Sequence, residues 1–391
     1  MPKLKIQKAR PSSFLASVTH GIEWVAAGEL SSSIDATEVH GEHRRIYFET
    51  TGAVDRLEGL RTIDDVFLLV GTVEGYKSPD ELTALTAAVY QFDWFGALEQ
   101  ILRLRDIPTN FDFDVVTSVE CKSRLSRFDI ESAVGETISK IVGLNFLERS
   151  PSGLADGNSR LTVRVMFEKT KTTFAVRLAE KPLHRRTYKT STRKGTLHPP
   201  VAAALSLLGA HDVDSILDPF CGDGTIAIEA KLFNQQLSIT ASDVDQARIS
   251  NTLQNANNAN VDVAVSCRDA ATLSNADLSP IDAIVTNPPW KRVLEIEGQL
   301  SGSLEDFWKI ALMMPKSSRL CVLTDTTMAT PTTLSQLGWN IGLAQRLRVS
   351  GRVVDLVLAG HPEGSTPAIP EPFATWRKRF IDKKIVTSDG F

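Results

Sequence analysis

Asn287-Pro288-Pro289-Trp290 joins a carboxamide, two prolines and an indole directly after a strand-like run. An amine on an aromatic base is a poor nucleophile, because its lone pair is delocalised into the ring. If the Asn287 side-chain oxygen and the Pro288 carbonyl each accept one N–H, the nitrogen is drawn towards tetrahedral geometry and its lone pair becomes available. The prolines fix the carbonyl direction, and Trp290 offers a face for stacking an extruded base. The motif predicts activation of an exocyclic amine; the alternative is an Asn-Pro turn with an incidental aromatic.

A second chemical signal is a loop with two glycines between a strand and a helix, DPFCGDGT at 218–225. Gly222 and Gly224 let the backbone approach a bound molecule, and the helix start offers unpaired N–H groups. Asp218 places a carboxylate where a cation can be held. The loop matches the dinucleotide fingerprint loosely, because Ala227 replaces its last glycine, and it lacks the P-loop lysine. A turn with glycines for tight packing is the alternative interpretation.

Further acidic residues end the next two strands of the predicted sheet. Asp243 lies where doubly wound folds place an acid that receives two ribose hydroxyls. Asp269 can accept a hydrogen bond from an adenine amino group. Either side chain could instead cap the following helix. Because Asp218, Asp243 and Asp269 end successive strands on one rim of the sheet, they predict an adenosine-containing cofactor there.

These residues need a sheet that brings the strand ends together. Five strand-like runs are separated by helix-length intervals, which predicts a parallel sheet covered on both faces; they end at residues 218, 243, 269, 287 and 325. The runs QRLRVS and VVDLVLAG flank Ser350-Gly351, which predicts an antiparallel hairpin after the parallel strands. A helix at 198–211 precedes them, and the pattern does not place residues 361–391.

The first 180 residues show a different rhythm. The opening elements follow the β-α-β-β-α-β order of a ferredoxin-like fold, with strands at 13–18, 34–39, 45–49 and 65–73 and helices at 21–30 and 53–60. The elements that follow are helices at 82–90, 94–104 and 129–142, the last ended by Gly143, and strands at 111–117, 161–167 and 174–178.

Composition excludes several classes of protein. A chain of 391 residues with 42% hydrophobic and 23% charged residues is not predominantly disordered. No apolar run approaches the roughly 20 residues of a membrane span, and the charged opening lacks a secretory pattern, so we expect a cytosolic protein without membrane contact. Four distant cysteines predict neither disulfides nor a metal site. The net charge is −4, yet residues 160–194 contain 11 Lys and Arg against two Glu, which favours a polyanionic partner.

Residues 198–360 resemble a class I S-adenosylmethionine-dependent methyltransferase, and the N-P-P-aromatic motif is similar to that of amine-methylating members. PLHRRTYK at 182–189 is similar to the phrase P-L-H-[RK]-R-[GP]-Y-R of THUMP-containing RNA methyltransferases, departing at Thr187 and Lys189. GTLHPP at 195–200 resembles the family segment beside the methionine end of the cofactor. A second departure is Lys291-Arg292, where relatives commonly have glycine after the aromatic residue.

The resemblance implies an α/β chain with a Rossmann-like methyltransferase domain after ferredoxin-like and THUMP domains. The expected division is a ferredoxin-like domain at 1–75, a THUMP RNA-binding domain at 76–180, a basic linker at 181–197 and the methyltransferase domain at 198–391.

The resemblance also assigns residues to roles, with Asn287, Pro288, Pro289 and Trp290 as the catalytic group. The residues expected to bind S-adenosylmethionine are Leu197, His198, Asp218, Phe220, Cys221, Gly222, Gly224, Thr225, Asp243, Val244, Asp269, Ala270 and Asn287. The residues expected to contact RNA are Lys122, Arg124, Arg127, Arg164, Arg185, Arg186, Tyr188, Lys189, Arg193, Lys194, Lys291 and Arg292.

The implied activity is methyl transfer to the N2 amine of a guanosine in structured RNA, with the sixth nucleotide of the tRNA acceptor stem preferred. Guanosines of ribosomal or small nuclear RNA are alternative substrates. A protein glutamine amide is another, but a protein substrate would give the basic segment at 160–194 no role. A non-catalytic RNA-binding scaffold is a further alternative. The presence of Asp218, Asp243 and Asn287 argues against it, because a scaffold would not need these residues. The expected partner is RNA and not DNA, the expected state is a monomer, and the need for a small activator protein stays open.

Overall fold

The computed structural model describes most of the chain. The described residues are 4–52, 54–75, 82–105, 107, 111–121, 124–150, 153–154, 161–168, 171–189, 195–290, 298–300 and 304–389. The predicted RNA contacts Lys122, Arg193, Lys194, Lys291 and Arg292 lie outside these residues.

The first half of the chain is built on a mixed sheet. Its strands and those of a small separate ribbon are β1 (Lys5–Lys8), β2 (Ser13–Ser17), β3 (Thr37–Glu42), β4 (Arg45–Glu49), β5 (Asp65–Glu74), β6 (Phe113–Val119), β7 (Arg149–Ser150), β8 (Gly153–Leu154), β9 (Leu161–Phe167) and β10 (Lys171–Arg177). Its helices are α1 (Glu23–Ser33), α2 (Leu82–Val89), α3 (Trp94–Leu104) and α4 (Arg127–Val142).

Within the described residues, this sheet has the order β3-β4-β2-β5-β10-β9-β6, and β1 pairs with the end of β5. The predicted boundary at residue 75 therefore does not separate two sheets, because β5 pairs with β10 from Lys171↔Glu74 to Arg177↔Phe67. Helix α4 ends as expected at the left-handed Gly143, with φ of 72°, and begins two residues before the predicted start, after a capping box at Ser126.

The second half forms the predicted parallel sheet with a final hairpin. Its strands are β11 (Ser215–Asp218), β12 (Ser238–Asp243), β13 (Ala264–Cys267), β14 (Ala283–Thr286), β15 (Arg319–Asp325), β16 (Asn340–Val349) and β17 (Arg352–Gly360). Its helices are α5 (Pro199–Gly209), α6 (Thr225–Phe233), α7 (Gln246–Ala259), α8 (Asn275–Leu278), α9 (Glu305–Ala311), α10 (Thr330–Gln336) and α11 (Phe373–Asp382).

The described strands of this half have the order β13-β12-β11-β14-β15-β17-β16. The first five are parallel, and β17 runs antiparallel to β15 and β16. After β11, the chain adds β12 and β13 on one side of that strand and then β14 and β15 on its other side. The carboxyl ends of β11, β12 and β14 therefore surround the crevice in which open α/β sheets bind ligands. The predicted Rossmann-like methyltransferase architecture is confirmed.

The C-terminal segment that the pattern did not place forms α11, which packs on α1 of the first half. A Cβ atom at Gly28 of α1 would collide with the ring of Phe373. The indole Nε1 of Trp376 donates to the Ser31 hydroxyl at 2.8 Å. The last helix therefore ties the methyltransferase half to the start of the chain.

The sequence prediction was wrong at several short elements. The strand expected at 34–39 lies at Thr37–Glu42, since this polar edge strand has no clear alternation of buried and exposed side chains. The element expected as a helix at 53–60 is a 3-10 helix at Val54–Gly59. The charged strand β1 was not predicted. No described helix combines the length and the apolar character that a bilayer crossing requires.

Candidate active site

A cavity of about 250 Å³ opens at the carboxyl ends of β11, β12 and β14. The predicted cofactor and catalytic residues that line this cavity are Leu197, Asp218, Phe220, Cys221, Gly222, Thr225, Asp243, Val244, Asp269, Ala270, Asn287, Pro288, Pro289 and Trp290. Residues from five separate stretches of sequence thus meet at one place, as the strand-end argument required.

The two glycines of the loop have different roles. Gly222 has a φ of +56° and its N–H donates to Asp243 Oδ2 at 2.9 Å, so the loop is tied to the neighbouring strand end. Gly224 does not line the cavity: with φ of +78° it precedes α6, and a Cβ atom there would collide with Thr252. Gly224 therefore has a conformational role, and its direct contact with the cofactor stays a prediction.

Asp218 is the most perturbed carboxylate of the cavity. Its side chain is buried, and its Oδ1 accepts hydrogen bonds from the Thr286 hydroxyl at 2.6 Å and from the Phe220 N–H at 3.3 Å. Burial raises the Asp218 pKa to about 7, against the opposing effect of these two hydrogen bonds. The carboxyl group therefore changes charge near neutral pH.

We expect the affinity for a cationic cofactor to rise with pH across the titration of Asp218. A positive group binds the ionised carboxylate more tightly than the neutral acid, so the dissociation constant of S-adenosylmethionine should fall between about pH 6 and pH 8. Calorimetry across this range measures the slope. Asp218→Asn keeps the oxygen that accepts from Thr286 and should flatten the profile; an unchanged slope in this variant would assign the titration to another group.

Asp243 and Asp269, the acids that end the next two predicted strands, line the same cavity. Asp243 accepts from the N–H groups of Gly222 and Asp245, the second at 3.0 Å, and burial raises its pKa. Asp269 accepts from Ala271 N–H at 2.9 Å and from Gln299 N–H at 2.8 Å. Asp269 therefore caps a 3-10 helix, which is the alternative role considered from the sequence, while also lining the cavity.

The Asn287 side chain carries a buried oxygen, Oδ1, that makes no hydrogen bond to the described residues. A buried acceptor without a partner costs about 1–3 kcal/mol, which a ligand N–H would recover. Trp290 is 9% exposed, and its Nε1 donates to the Leu323 carbonyl at 3.4 Å, so its orientation is fixed.

Of the two predicted cofactor residues in the segment before α5, one lines the cavity and the side chain of the other contacts the first half of the chain. Leu197 lines the cavity, but His198 does not. The His198 Nε2 lies 2.5 Å from Asp64 Oδ1, at the start of β5 in the first half of the chain. The His198 imidazole therefore joins the two halves and anchors the residue after Leu197, while the predicted cofactor contact of His198 stays a prediction.

Arg186 and Tyr188, predicted as RNA contacts, are buried and have another role. Both bind Glu229 of α6, which is 1% exposed: Arg186 Nε donates at 2.9 Å and the Tyr188 hydroxyl at 2.8 Å. Arg61 of the first half also donates to Glu229, through Nη2 at 2.9 Å. Side chains held in this way cannot reach RNA, so their predicted contact is replaced by a link between the halves around Glu229.

The other residues predicted to contact RNA, where the structure describes them, differ in how far their side chains are exposed. Arg124, Arg127 and Arg185 are exposed. Arg164 is half-buried on β9, where burial lowers its pKa to about 10. The Lys189 ammonium faces α6 and donates to the Thr225 hydroxyl at 3.3 Å, so its predicted RNA contact is corrected to a contact beside the cofactor loop.

Several residues that line the cavity were missed by the sequence argument. They are Gly195, Thr196, Pro219, Asp223, Ile226, Asp245, Arg248, Arg268, Val349, Ser350 and Arg352. Asp223 belongs to the quoted loop and accepts from the Thr196 hydroxyl at 2.6 Å. The hairpin Ser350-Gly351 was recognised as a turn, but its chain distance from the motifs gave no sign that it borders the site.

Among the described residues, one group outside the cavity has the composition of a metal site: His20, Glu23 and His43. Glu23 is buried and already accepts from His20 Nδ1 at 2.8 Å, from Gly21 N–H at 2.6 Å and from Arg44 N–H at 3.0 Å. These contacts give the carboxylate a structural role, and the expectation that the protein holds no metal stays a prediction.

The residues of the cavity fit S-adenosylmethionine. Asp243 ends the strand beside the loop, as a ribose-binding acid requires, and Asp218 supplies a carboxylate for a positive group. In the same cavity, no described residue donates to Asn287 Oδ1, so an amine placed beside the methyl donor would find an acceptor there. The fold and this site define a class I methyltransferase.

Comparison with known proteins finds a match to one family model. Residues 186–354 match UPF0020, described as an RMKL-like methyltransferase domain. The chain is thus a methyltransferase whose methyl donor is S-adenosylmethionine.

Relatives extend the similarity beyond this domain. The chain is 26% identical over 317 residues to the tRNA (guanine(6)-N2)-methyltransferase of Thermus thermophilus, covering 80% of this chain and 89% of that protein. It is 24% identical over 350 residues to the protein of the same name from Archaeoglobus fulgidus, covering 80% and 82%. The crystal structure of TrmN from Thermus thermophilus superposes with a TM-score of 0.70 at 23% identity, covering 89% of this chain and 99% of that one, which shows a shared fold.

Proposed function

We propose that the protein transfers a methyl group from S-adenosylmethionine to the exocyclic N2 of a guanosine in structured RNA, with the tRNA acceptor stem as its substrate. The observation that carries this proposal is the buried Asn287 Oδ1 in the cavity wall, which has no hydrogen-bond partner within the described part of the chain. The relatives from Thermus and Archaeoglobus carry the name tRNA (guanine(6)-N2)-methyltransferase and align over 80% of this chain. Their alignments include much of the first half, which supports the substrate as well as the reaction.

In this proposal, the chain's residues orient the amine and support the base that carries it. Bound S-adenosylmethionine supplies an electrophilic methyl carbon. Asn287 Oδ1 and the Pro288 carbonyl accept the two N–H groups, which exposes the nitrogen lone pair and holds it in one direction. Trp290, whose indole is fixed by Leu323, supports the extruded base by stacking.

The first half supplies the grip on RNA in this proposal. Residues 76–180 act as a THUMP module, residues 1–75 as the ferredoxin-like unit and residues 181–197 as the linker. The exposed Arg124, Arg127 and Arg185 contact phosphates, which position RNA without reading its sequence. Recognition of a folded RNA by this surface selects the target by its distance from the gripped end. We also propose a monomeric protein of the cytoplasm; a requirement for a small activator protein would appear as low activity of the isolated chain.

Nucleoside mass spectrometry tests the function directly. Unmodified tRNA transcripts are incubated with the protein and isotopically labelled S-adenosylmethionine, digested and analysed. We expect labelled N2-methylguanosine, and its loss when the sixth nucleotide of the acceptor stem is changed from guanosine to adenosine. Ribosomal RNA transcripts and a glutamine-containing peptide serve as competing substrates. Labelled methyl groups on another nucleoside or on the peptide would overturn the assignment.

A further inference from the structure

The hairpin between β16 and β17 places an arginine at the edge of the active-site cavity. Arg352, the first residue of β17, lines the cavity together with Asn287, Trp290, Val349 and Ser350. The turn is fixed by left-handed backbone at Ser350, with φ of 49°, and Gly351, with φ of 79°. A rigid turn therefore presents Arg352 beside the residues proposed to activate the amine.

The Arg352 guanidinium is weakly engaged within the protein. Its Nη1 lies 3.7 Å from Asp325 Oδ2, which is beyond hydrogen-bond distance, and its side chain is 40% exposed. Arg268, another arginine of the cavity, is instead held by Asp277 through contacts of 2.6 and 2.7 Å. Among the described residues, the donor fork of Arg352 has only this long contact and can bind a ligand at small cost, whereas that of Arg268 is occupied.

The sheet sets the separation between Arg352 and the amine acceptor. Asn287 follows β14, and β15 lies between β14 and β17. Two strand spacings, roughly 10 Å, separate β14 from β17, and the register places Arg352 four residues beyond the level of Asn287, about 13 Å along the strands. Both side chains line the same cavity, so a base bound there can contact the long arginine side chain and the carboxamide together. The cavity wall therefore offers two acceptors on one side and a five-donor fork on the other.

We propose that Arg352 determines specificity for guanine by donating two hydrogen bonds to O6 and N7 of the target base, while its N2 amine faces Asn287. This inference rests on the proposed function and adds to it the recognition of the base. Arginine pairs with this edge of guanine in bidentate geometry, whereas adenine presents an amino group in place of O6 and would oppose the guanidinium N–H donors. Lysine carries the charge but lacks the planar fork.

The test combines variants of Arg352 with substitution of the target base. Arg352→Gln and Arg352→Lys should each lower kcat/KM on the target RNA by about 10- to 100-fold and leave S-adenosylmethionine affinity unchanged. RNA with 7-deazaguanosine at the target should lower kcat/KM for the native protein and have little further effect on Arg352→Gln. The matched control is Arg346→Gln on the same hairpin, since Arg346 is 52% exposed, lies 3.9 Å from Asp355 and does not line the cavity.

The outcomes separate this inference from the function on which it depends. If the native protein forms no N2-methylguanosine on any RNA, the proposed function is wrong. If the native protein is active, and Arg352→Lys matches it or 7-deazaguanosine has no effect, the guanidinium does not bind the base edge and the inference is overturned. Full activity of Arg352→Lys together with loss in Arg352→Gln would assign the contact to a phosphate instead.

Discussion

Replacing Asn287 with alanine is expected to lower the rate of methyl transfer by about 10²- to 10³-fold, the range for loss of one positioned transition-state hydrogen bond. The variant should fold normally, because the deleted Oδ1 is buried and accepts no hydrogen bond from any residue that the structure describes. Cofactor affinity should change little, since Asp218 and Asp243, the carboxylates that line the cavity, remain in place. The effect should therefore fall on kcat.

Single-turnover kinetics with labelled S-adenosylmethionine and saturating RNA measures the chemical step. Asn287→Asp is the informative companion variant, because it keeps an acceptor oxygen at the same position while adding a negative charge. We expect Asn287→Asp to retain more activity than Asn287→Ala. A near-native single-turnover rate in the alanine variant would remove Asn287 from the reaction and leave its buried oxygen without an explanation.

The methyltransferase half could be predicted because its signals are local. Each strand is apolar and ends in a polar residue, each is followed by a helix, and the turn Ser350-Gly351 has a sequence signature of its own. The carboxyl ends of parallel strands lie at one edge, so Asp218, Asp243 and Asn287 could be grouped before any coordinates were known.

The first half was harder to predict because its organisation depends on distant pairings. Strands β5 and β10 join the two predicted units, and their first paired residues, Lys171 and Glu74, are far apart in the sequence. Short charged strands such as β1 carry no periodic apolar signal. The division at residue 75 marks a change of pattern along the chain, but the sheet passes across it.

Arg186 and Tyr188 show why a basic stretch cannot be divided into surface and core from its own sequence. Their burial depends on Glu229, which lies on a later helix. The signal available was Glu229 itself, a charged residue within the apolar run TIAIEAKLF of α6. A buried carboxylate requires cationic or hydrogen-bonding partners, and the preceding basic linker was the nearest source of them.

Replacing Glu229 with alanine is expected to lower the free energy of unfolding by about 3–5 kcal/mol, the cost of removing one partner from a buried ion pair. The carboxylate is 1% exposed and accepts from Arg61, Arg186 and Tyr188. Without it, the buried Arg186 guanidinium loses its anion and the first half loses a contact with α6. Because α6 follows the cofactor loop directly, S-adenosylmethionine affinity should fall as well.

The pH dependence of stability provides a second readout of the same group. Burial raises the Glu229 pKa, but Arg186 and Arg61 outweigh burial and hold it below its usual value of 4.5. A carboxyl group with a lowered folded-state pKa stabilises the protein above its unfolded-state pKa, and this contribution is lost as the pH falls through the folded-state value. Glu229→Ala should therefore lose less stability on acidification than the native protein.

Guanidinium unfolding monitored by tryptophan fluorescence at pH 7 and at acid pH measures both effects. Glu229→Gln keeps the size of the side chain and an acceptor for Tyr188, so it isolates the contribution of the charge. Glu99→Ala is the control, because the Glu99–Arg103 pair is exposed, with side chains 66% and 74% accessible, and should contribute less than about 1 kcal/mol. Equal unfolding midpoints for Glu229→Ala and Glu99→Ala would contradict a stabilising role for the link around Glu229. Removing the anion of two arginines should destabilise the protein more than removing one partner of a solvated ion pair.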